Sequence, residues 1–121
     1  YKDYLSYVFR IEEFTGGAHP NHELFTINNN IKENKFITIK DLKDKDPHIL
    51  EELSKTSRTM LKENKNINSL SMLYEGTTPT IENFSNFVFT KKGLTFFFPQ
   101  YQVAPYSEGE FNITVPYKKS L

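Results

Sequence analysis

The sequence predicts an α+β domain in which an antiparallel β-sheet carries one main helix on one face. Three observations lead to this fold class. Apolar and polar residues alternate along several segments near both ends of the chain, which is typical of strands with one buried face. A central segment, residues 47–63, instead has apolar residues at helical spacing. Phe and Tyr alone supply an aromatic fraction of 15%, and aromatic residues favour strands.

The first third of the chain predicts a long β-hairpin. Residues 4–14 and 22–31 read as its two strands, and residues 15–20, TGGAHP, read as the connection. Gly16 and Gly17 permit positive φ there, and Pro20 keeps the connection out of a central ladder. The residues predicted to face the core are Leu5, Tyr7, Phe9 and Ile11 from the first strand, and Leu24 or Phe25, Ile27 and Ile31 from the second.

The middle of the chain predicts a short strand at residues 35–39 and a helix over about 47–63. Asp46 suits the N-cap of this helix, and Pro47 suits its first helical position, where a missing N–H costs nothing. The helical face predicted to be buried consists of Ile49, Leu50, Leu53, Met60 and Leu61. Residues 66–74 and 81–84 are expected to form short helical segments.

The last third predicts three more strands. Residues 86–91 and 94–98 are joined by Lys91-Lys92-Gly93, which is a hairpin signal. A segment rich in Pro, Tyr and Gly follows, and residues 111–117 alternate again. The order β-β-β-α-β-β-β is typical of one α+β domain over residues 1–121. Because the chain begins with Tyr, we expect it to be part of a longer protein.

Composition excludes several classes of function. Lys and Arg number 15 and so do Asp and Glu, so no basic excess is available to neutralise nucleic-acid phosphates. Cys is absent, which removes disulfides, thiolate chemistry and cysteine metal sites. No apolar run approaches the roughly 20 residues that span a bilayer. We therefore expect no nucleic-acid partner, and contact with a membrane only through an anchor outside this chain.

The sequence contains few candidates for catalytic chemistry. His19 and His22 could share a metal, with His48 or a carboxylate as a further ligand, but no closed metal signature is present. Nucleophile and phosphate-loop motifs are absent, and paired carboxylates such as Glu12 and Glu13 suit a strand end. We expect no catalytic residue, metal or cofactor. An enzyme that uses His19 is the alternative; it predicts loss of an activity in His19→Ala.

The segment FPQYQVAPY, residues 98–106, is the strongest candidate for a binding surface. Tyr101 and Tyr106 each combine a flat apolar ring, a polar tip and little side-chain entropy to lose, as interfaces require. The alternative is that both rings cover a sheet edge. Composition and spacing do not decide between these two interpretations.

Three stretches carry a family resemblance: FTGGAHPNHELFTINNNI, FITIKDL and NFVFTKKGLTFFFPQYQVAPYSEGEFNITVPY. Together they resemble the extracytoplasmic domain of RsiV-type anti-sigma factors. The same domain type accompanies PdaC-type peptidoglycan deacetylases and occurs in bacterial lipoproteins. The motifs at residues 15–19 and 93–109 are specific, whereas residues 44–82 match only in character.

The resemblance implies an α+β fold and a location outside the cytoplasmic membrane, in the cell envelope. RsiV-type proteins bind lysozyme through this domain, and binding exposes the anti-sigma factor to proteolysis. In the deacetylases the domain is accessory and another domain performs catalysis. The resemblance therefore implies a non-catalytic recognition domain with a lysozyme-like protein partner. The alternative is an accessory module that binds cell-wall peptidoglycan.

The residues predicted to bind the partner lie in two loops. If the strands that precede these loops are close, both loops gather at one edge of the domain. Glu108 and Glu110 would add a local acidic patch toward a basic partner. The predicted partner-binding residues are Thr15, Gly16, Gly17, Ala18, His19, Pro99, Tyr101, Pro105 and Tyr106.

Overall fold

The computed structural model describes residues 1–13, 16 and 21–118, and it confirms the α+β class. The strands form two three-stranded antiparallel sheets rather than one. The first sheet contains β1 (Tyr4–Glu13), β2 (Asn21–Asn30) and β3 (Lys35–Phe36), in that order. The second contains β4 (Phe87–Thr90), β5 (Gly93–Phe98) and β6 (Phe111–Val115). The helices are α1 (Ile39–Lys45), α2 (Ile49–Lys62) and α3 (Leu70–Gly76).

The main core lies where the helices pack on the second sheet. Phe84, in a 3₁₀ turn before β4, is fully buried, and its ring meets those of Phe96 and Phe98 edge-on at 6.0 Å. Such edge-to-face geometry adds to the burial of apolar area. None of the helices in the described residues is long and apolar enough to cross a membrane. The buried residues of this core are Ile39, Leu42, Ile49, Leu50, Leu53, Leu61, Leu73, Phe84, Phe87, Leu94, Phe96, Phe98, Val103, Ala104, Phe111 and Ile113.

The middle of the chain differs from the sequence prediction in having two helices before α3. The Asp41 carboxylate accepts the Thr38 N–H at 2.7 Å, so α1 begins where a strand at 35–39 was predicted. The predictions of Asp46 as the N-cap and of Pro47 as the first helical residue were both wrong. Asp46 ends α1 through its N–H to Leu42 O at 2.9 Å, and α2 begins two residues after Pro47, at Ile49. Met60 was also placed wrongly, since it is 41% exposed.

The predicted hairpin is confirmed, with β1 and β2 paired from Tyr4↔Asn30 to Glu13↔Asn21. Its interior face, however, was predicted wrongly. Of the residues assigned to the core of β1 and β2, only Leu24 is buried. The large apolar side chains that point away from the second sheet are exposed by 36–66%; we call them the outer face, and they are Leu5, Tyr7, Phe9, Ile11, Phe25, Ile27 and Phe36. Ile31, just after β2, is 56% exposed.

The hairpin turns its polar face, rather than the predicted apolar face, toward the interior because that face meets the backbone edge of β4. Thr26 Oγ1 accepts the N–H of Phe87 at 3.0 Å, and Asn28 Nδ2 donates to Phe87 O at 2.8 Å. Ser6 Oγ accepts the N–H of Phe89 at 3.0 Å and donates to Asn28 Oδ1. These polar side chains satisfy backbone groups that a strand at a sheet edge leaves unpaired. An apolar face could not do so.

A small apolar cluster completes this contact between the hairpin and the second sheet. Leu24, Val88 and Phe97 are buried together, and Val8 packs against them. Phe97 therefore faces the hairpin, whereas Phe96 and Phe98 face the helical core. The second sheet is covered on both sides, by helices on one and by the hairpin on the other.

Candidate functional site

The segment from Pro99 to Tyr106, which follows β5, is anchored from beneath. Gln102 Nε2 donates to the carbonyl oxygens of Gly76 and Asn83, each at 2.9 Å. A Cβ on Gly76 would lie 2.0 Å from Gln102 O, so the contact requires glycine at the end of α3. Val103 and Ala104 are 1% exposed and complete the anchor. Gln102, Val103 and Ala104 thus fix the backbone of this segment, while Tyr101 and Pro105 on either side of them are exposed to solvent.

Tyr101 is held in an exposed turn of this segment. The Gln102 N–H donates to Pro99 O at 3.1 Å, which closes a turn around Tyr101. Tyr101 has φ +77° and is 62% exposed. A positive φ is uncommon for a residue with a side chain, and such strain is concentrated at functional sites. The Tyr101 ring lies 5.4 Å from that of Tyr106, so the two rings form one aromatic surface.

Tyr106 connects this segment to the closed end of the β1–β2 hairpin. It begins a 3₁₀ turn directly after the exposed Pro105, and its ring lies 5.7 Å from that of His22 in β2. Partial loss of solvent, with the negative charge of Glu12 as a further cause, raises the pKa of the Tyr106 phenol above its ordinary value. The end of the hairpin and the tyrosine segment therefore lie at one edge of the domain.

The loop between β1 and β2 contains the other predicted site residues. Gly16 is exposed and has φ +84°, a conformation that favours glycine. Thr15, Gly17, Ala18 and His19 lie outside the described residues, so their part in the site stays a prediction. We call the edge formed by Glu12, His22, Tyr101 and Tyr106 the tyrosine edge.

A cleft of about 190 Å³ opens at the tyrosine edge. It lies between the hairpin and the two ends of the segment that joins β5 to β6. Its lining combines aliphatic, carboxylate and amide groups, which suits the binding of a polar or amphipathic group. The lining residues are Arg10, Ile11, Glu12, His22, Glu23, Leu24, Pro99, Gln100 and Glu110.

Arg10 and Glu110 form a bidentate ion pair across this cleft. Arg10 Nη2 donates to Glu110 Oε1 at 2.7 Å, and Nε donates to Glu110 Oε2 at 3.2 Å. The Arg10 guanidinium also lies 5.7 Å from the Phe97 ring. The hydrogen bond that Arg10 donates to the Glu110 carboxylate raises the pKa of Arg10 above its ordinary value. Glu110 is therefore engaged within the domain, which leaves Glu108 as the other member of the predicted acidic patch.

We expect this ion pair to fix the hairpin relative to the residues before β6 and to contribute little to the stability of the domain. Both side chains are partly exposed, so Arg10→Glu or Glu110→Arg alone should lower the free energy of unfolding by about 1 kcal/mol. The double variant with both charges exchanged should recover most of that loss, as denaturant unfolding would measure. Equal losses in the single and double variants would contradict a direct pairing.

Sequence reasoning missed several residues at this site. Arg10 and Glu110 are separated by one hundred positions, and no local pattern signals that they pair. His22 was considered as a metal ligand or as a side chain facing solvent, and Glu12 was considered as part of a carboxylate pair. Among the residues that the structure describes, no three side chains of His, Asp or Glu come together as a metal site.

Comparisons with known proteins identify relatives for nearly the whole chain. A family model described as "Protein of unknown function (DUF3298)" matches residues 24–118. The "Peptidoglycan-N-acetylmuramic acid deacetylase PdaC" of Bacillus subtilis (strain 168) is 36% identical over 121 residues. The match covers 99% of this chain but only 26% of the deacetylase.

Two solved structures of DUF3298 proteins share the fold. A protein from Bacteroides fragilis has a TM-score of 0.69 and 26% sequence identity, covering 97% of this chain and 47% of its own. A protein from Pseudomonas aeruginosa has a TM-score of 0.66 and 19% identity, covering 95% of this chain and 52% of its own. This chain therefore spans about half of each solved relative.

Proposed function

We propose that this chain, which belongs to the DUF3298 family, is a non-catalytic recognition domain of the bacterial cell envelope. Its similarity to a deacetylase named for peptidoglycan supports the envelope location. The proposed binding surface is the tyrosine edge together with the loop at residues 15–19. The proposed partner is a lysozyme-like protein, as the resemblance to RsiV-type domains implies.

One observation carries this proposal: an aromatic side chain is held out to solvent by a backbone that is itself fixed. Tyr101 is 62% exposed at positive φ, while Gln102, Val103 and Ala104 beside it are anchored. A rigid aromatic residue loses little entropy when it is buried by a partner. Such a projecting ring fits a concave partner, and the substrate cleft of a glycan hydrolase is concave.

Isothermal titration of the purified domain with lysozyme tests this proposal. We expect a saturable complex with a dissociation constant in the micromolar range or tighter. Absence of heat and of any shift in sedimentation at high micromolar concentrations would exclude a lysozyme partner. A protein of matched size and positive charge but without a substrate cleft, such as cytochrome c, serves as the control for nonspecific attraction.

The second candidate function is an accessory module that binds cell-wall glycan. The identity of 36% to a peptidoglycan deacetylase favours it. Co-sedimentation with purified peptidoglycan, without lysozyme, is the test. A domain that pellets with peptidoglycan and gives no lysozyme complex would favour the accessory module, and the reverse result would favour the protein-recognition domain.

A further inference from the structure

The outer face of the first sheet is an apolar surface that the described part of the chain leaves uncovered. Its members are exposed by 36–66%. Phe9 and Phe25 stack at 5.0 Å, and Tyr7 lies 6.2 Å from Phe9, so the surface is contiguous. An aromatic side chain has an area of roughly 150–250 Å². With the exposures above, the outer face exposes on the order of 500 Å² of apolar area to solvent. That equals the largest patches on ordinary monomers, which are commonly functional.

The edge of β1 that borders this face is also open. β1 is the outermost strand of its sheet and extends over ten residues. Ile31 N donates to Asp3 O, so the odd-numbered residues of β1 make the ladder bonds to β2. The even-numbered residues from Ser6 to Glu12 direct their N–H and C=O groups outward. No backbone group in the described ranges pairs with them.

The usual protections of an edge strand are absent from β1. Its sequence, YLSYVFRIEE, contains no proline and no lysine. Its arginine is engaged with Glu110, and its glutamates lie only at one end. Isolated edge strands of this length are normally blocked by charge, proline or a bulge, because an open edge recruits other strands. The sequence of β1 therefore suits a strand whose open edge is paired with another strand.

The lengths of the relatives indicate what covers this surface. The solved relatives carry about as much chain again as the part that matches residues 1–121. The family match begins at residue 24, so β1 lies wholly outside it. The first sheet thus already contains one strand, β1, that lies before the family match. A further strand from chain that precedes the match could pair with β1 and extend the first sheet without changing the second sheet.

The charges at the surface argue against a second copy as the occupant. Glu13 and Glu23 border the outer face at its closed end, and Glu23 pairs in register with Ile11. The side chains that form the face itself include no lysine or arginine. Two copies packed face to face would therefore bury carboxylates without supplying cations to pair with them. A partner with basic residues beside an apolar surface avoids that cost.

We propose that the outer face and the β1 edge dock a further segment of the same polypeptide, of the kind that the longer relatives carry. This segment adds a strand along β1 and places apolar side chains on the outer face. It presents lysine or arginine opposite Glu13 and Glu23. The docking surface is centred on Phe9 and Phe25, on the hairpin face that points away from the second sheet. It meets the cleft at Ile11 and Glu23, which line both.

Substitutions in the 121-residue chain test whether the outer face is free. Phe9→Ser with Phe25→Ser removes one stacked pair, so it should lower the denaturation midpoint only slightly, and it should reduce the fluorescence of a bound hydrophobic dye at least twofold. The matched inward variant, Val8→Ser, should lower the midpoint, because Val8 packs against buried residues. If the outward pair lowers the midpoint as much as Val8→Ser, this chain itself covers the face and the proposal fails.

Hydrogen exchange in the full-length Bacillus subtilis deacetylase tests whether a further segment of the polypeptide pairs with the β1 edge. We expect the amides that match Ser6, Val8 and Arg10 to exchange at least tenfold more slowly there than in the 121-residue chain, with β5 amides as the folding reference. Equal rates would overturn the proposal. Sedimentation equilibrium adds a second criterion: a stable dimer that Phe9→Ser with Phe25→Ser dissociates would make a second copy the occupant and would equally overturn it.

Discussion

Replacement of Tyr101 by alanine is expected to weaken lysozyme binding by about 1–3 kcal/mol, the range of a partial hot spot. The ring is 62% exposed and lies 5.4 Å from the Tyr106 ring, so a partner that covers both would bury a continuous aromatic surface. The anchored neighbours keep the backbone in place when the ring is removed. Titration calorimetry of both proteins measures the difference directly.

Two further variants make this result specific. Phe36→Ala removes a ring of similar exposure, 66%, at the open end of the hairpin, and it should leave binding unchanged. Tyr101→Gly removes the ring and the strain of positive φ together. It should bind as weakly as Tyr101→Ala while unfolding at a higher denaturant concentration. If Tyr101→Ala and Phe36→Ala bind alike, the recognition surface lies elsewhere.

Replacement of Asn28 by alanine is expected to lower the free energy of unfolding by about 2–3 kcal/mol, because a buried backbone acceptor loses its donor. Asn28 is 3% exposed and donates to Phe87 O at 2.8 Å. It also accepts from Ser6 Oγ, which in turn accepts the N–H of Phe89. One substitution thus disturbs the contact between the hairpin and β4 at two points.

Asn29 provides the matched control for Asn28. It is the next residue in β2, has the same side chain and points to the opposite face of the hairpin. Asn29→Ala should change the free energy of unfolding by no more than about 0.5 kcal/mol. Chemical denaturation of both variants gives the comparison. A loss in Asn29→Ala as large as that in Asn28→Ala would mean that the inner and outer faces are assigned the wrong way round.

Local signals in the sequence were sufficient for most of the elements. The hairpin at Lys91-Lys92-Gly93 formed as predicted, because the turn chemistry and the alternation on both sides agree. The helix over α2 formed for a similar reason, with buried Leu50, Leu53 and Leu61 at helical spacing. The boundary at Asp46 failed, because an acidic residue before proline suits the end of one helix as well as the start of the next.

The candidate site was predictable only in part. The motif at residues 98–106 identified Tyr101 and Tyr106 as candidate contacts, because Tyr in a Pro-containing segment suits an interface. Their setting was not visible in the sequence. Gln102 meets Gly76 across 26 positions, and Arg10 meets Glu110 across 100. Contacts at such separations leave no periodic signal, since each depends on two elements being folded side by side.

The sequence by itself determined that β1 has two faces, and only the tertiary structure decided which one is interior. Alternation with period two separates Leu5, Tyr7 and Phe9 from Ser6 and Val8 whatever the environment. The choice of the inner face depends on what it meets, and here it meets the backbone edge of β4. Unpaired N–H and C=O groups need polar partners, so the polar face turned inward and the apolar face was left exposed to solvent.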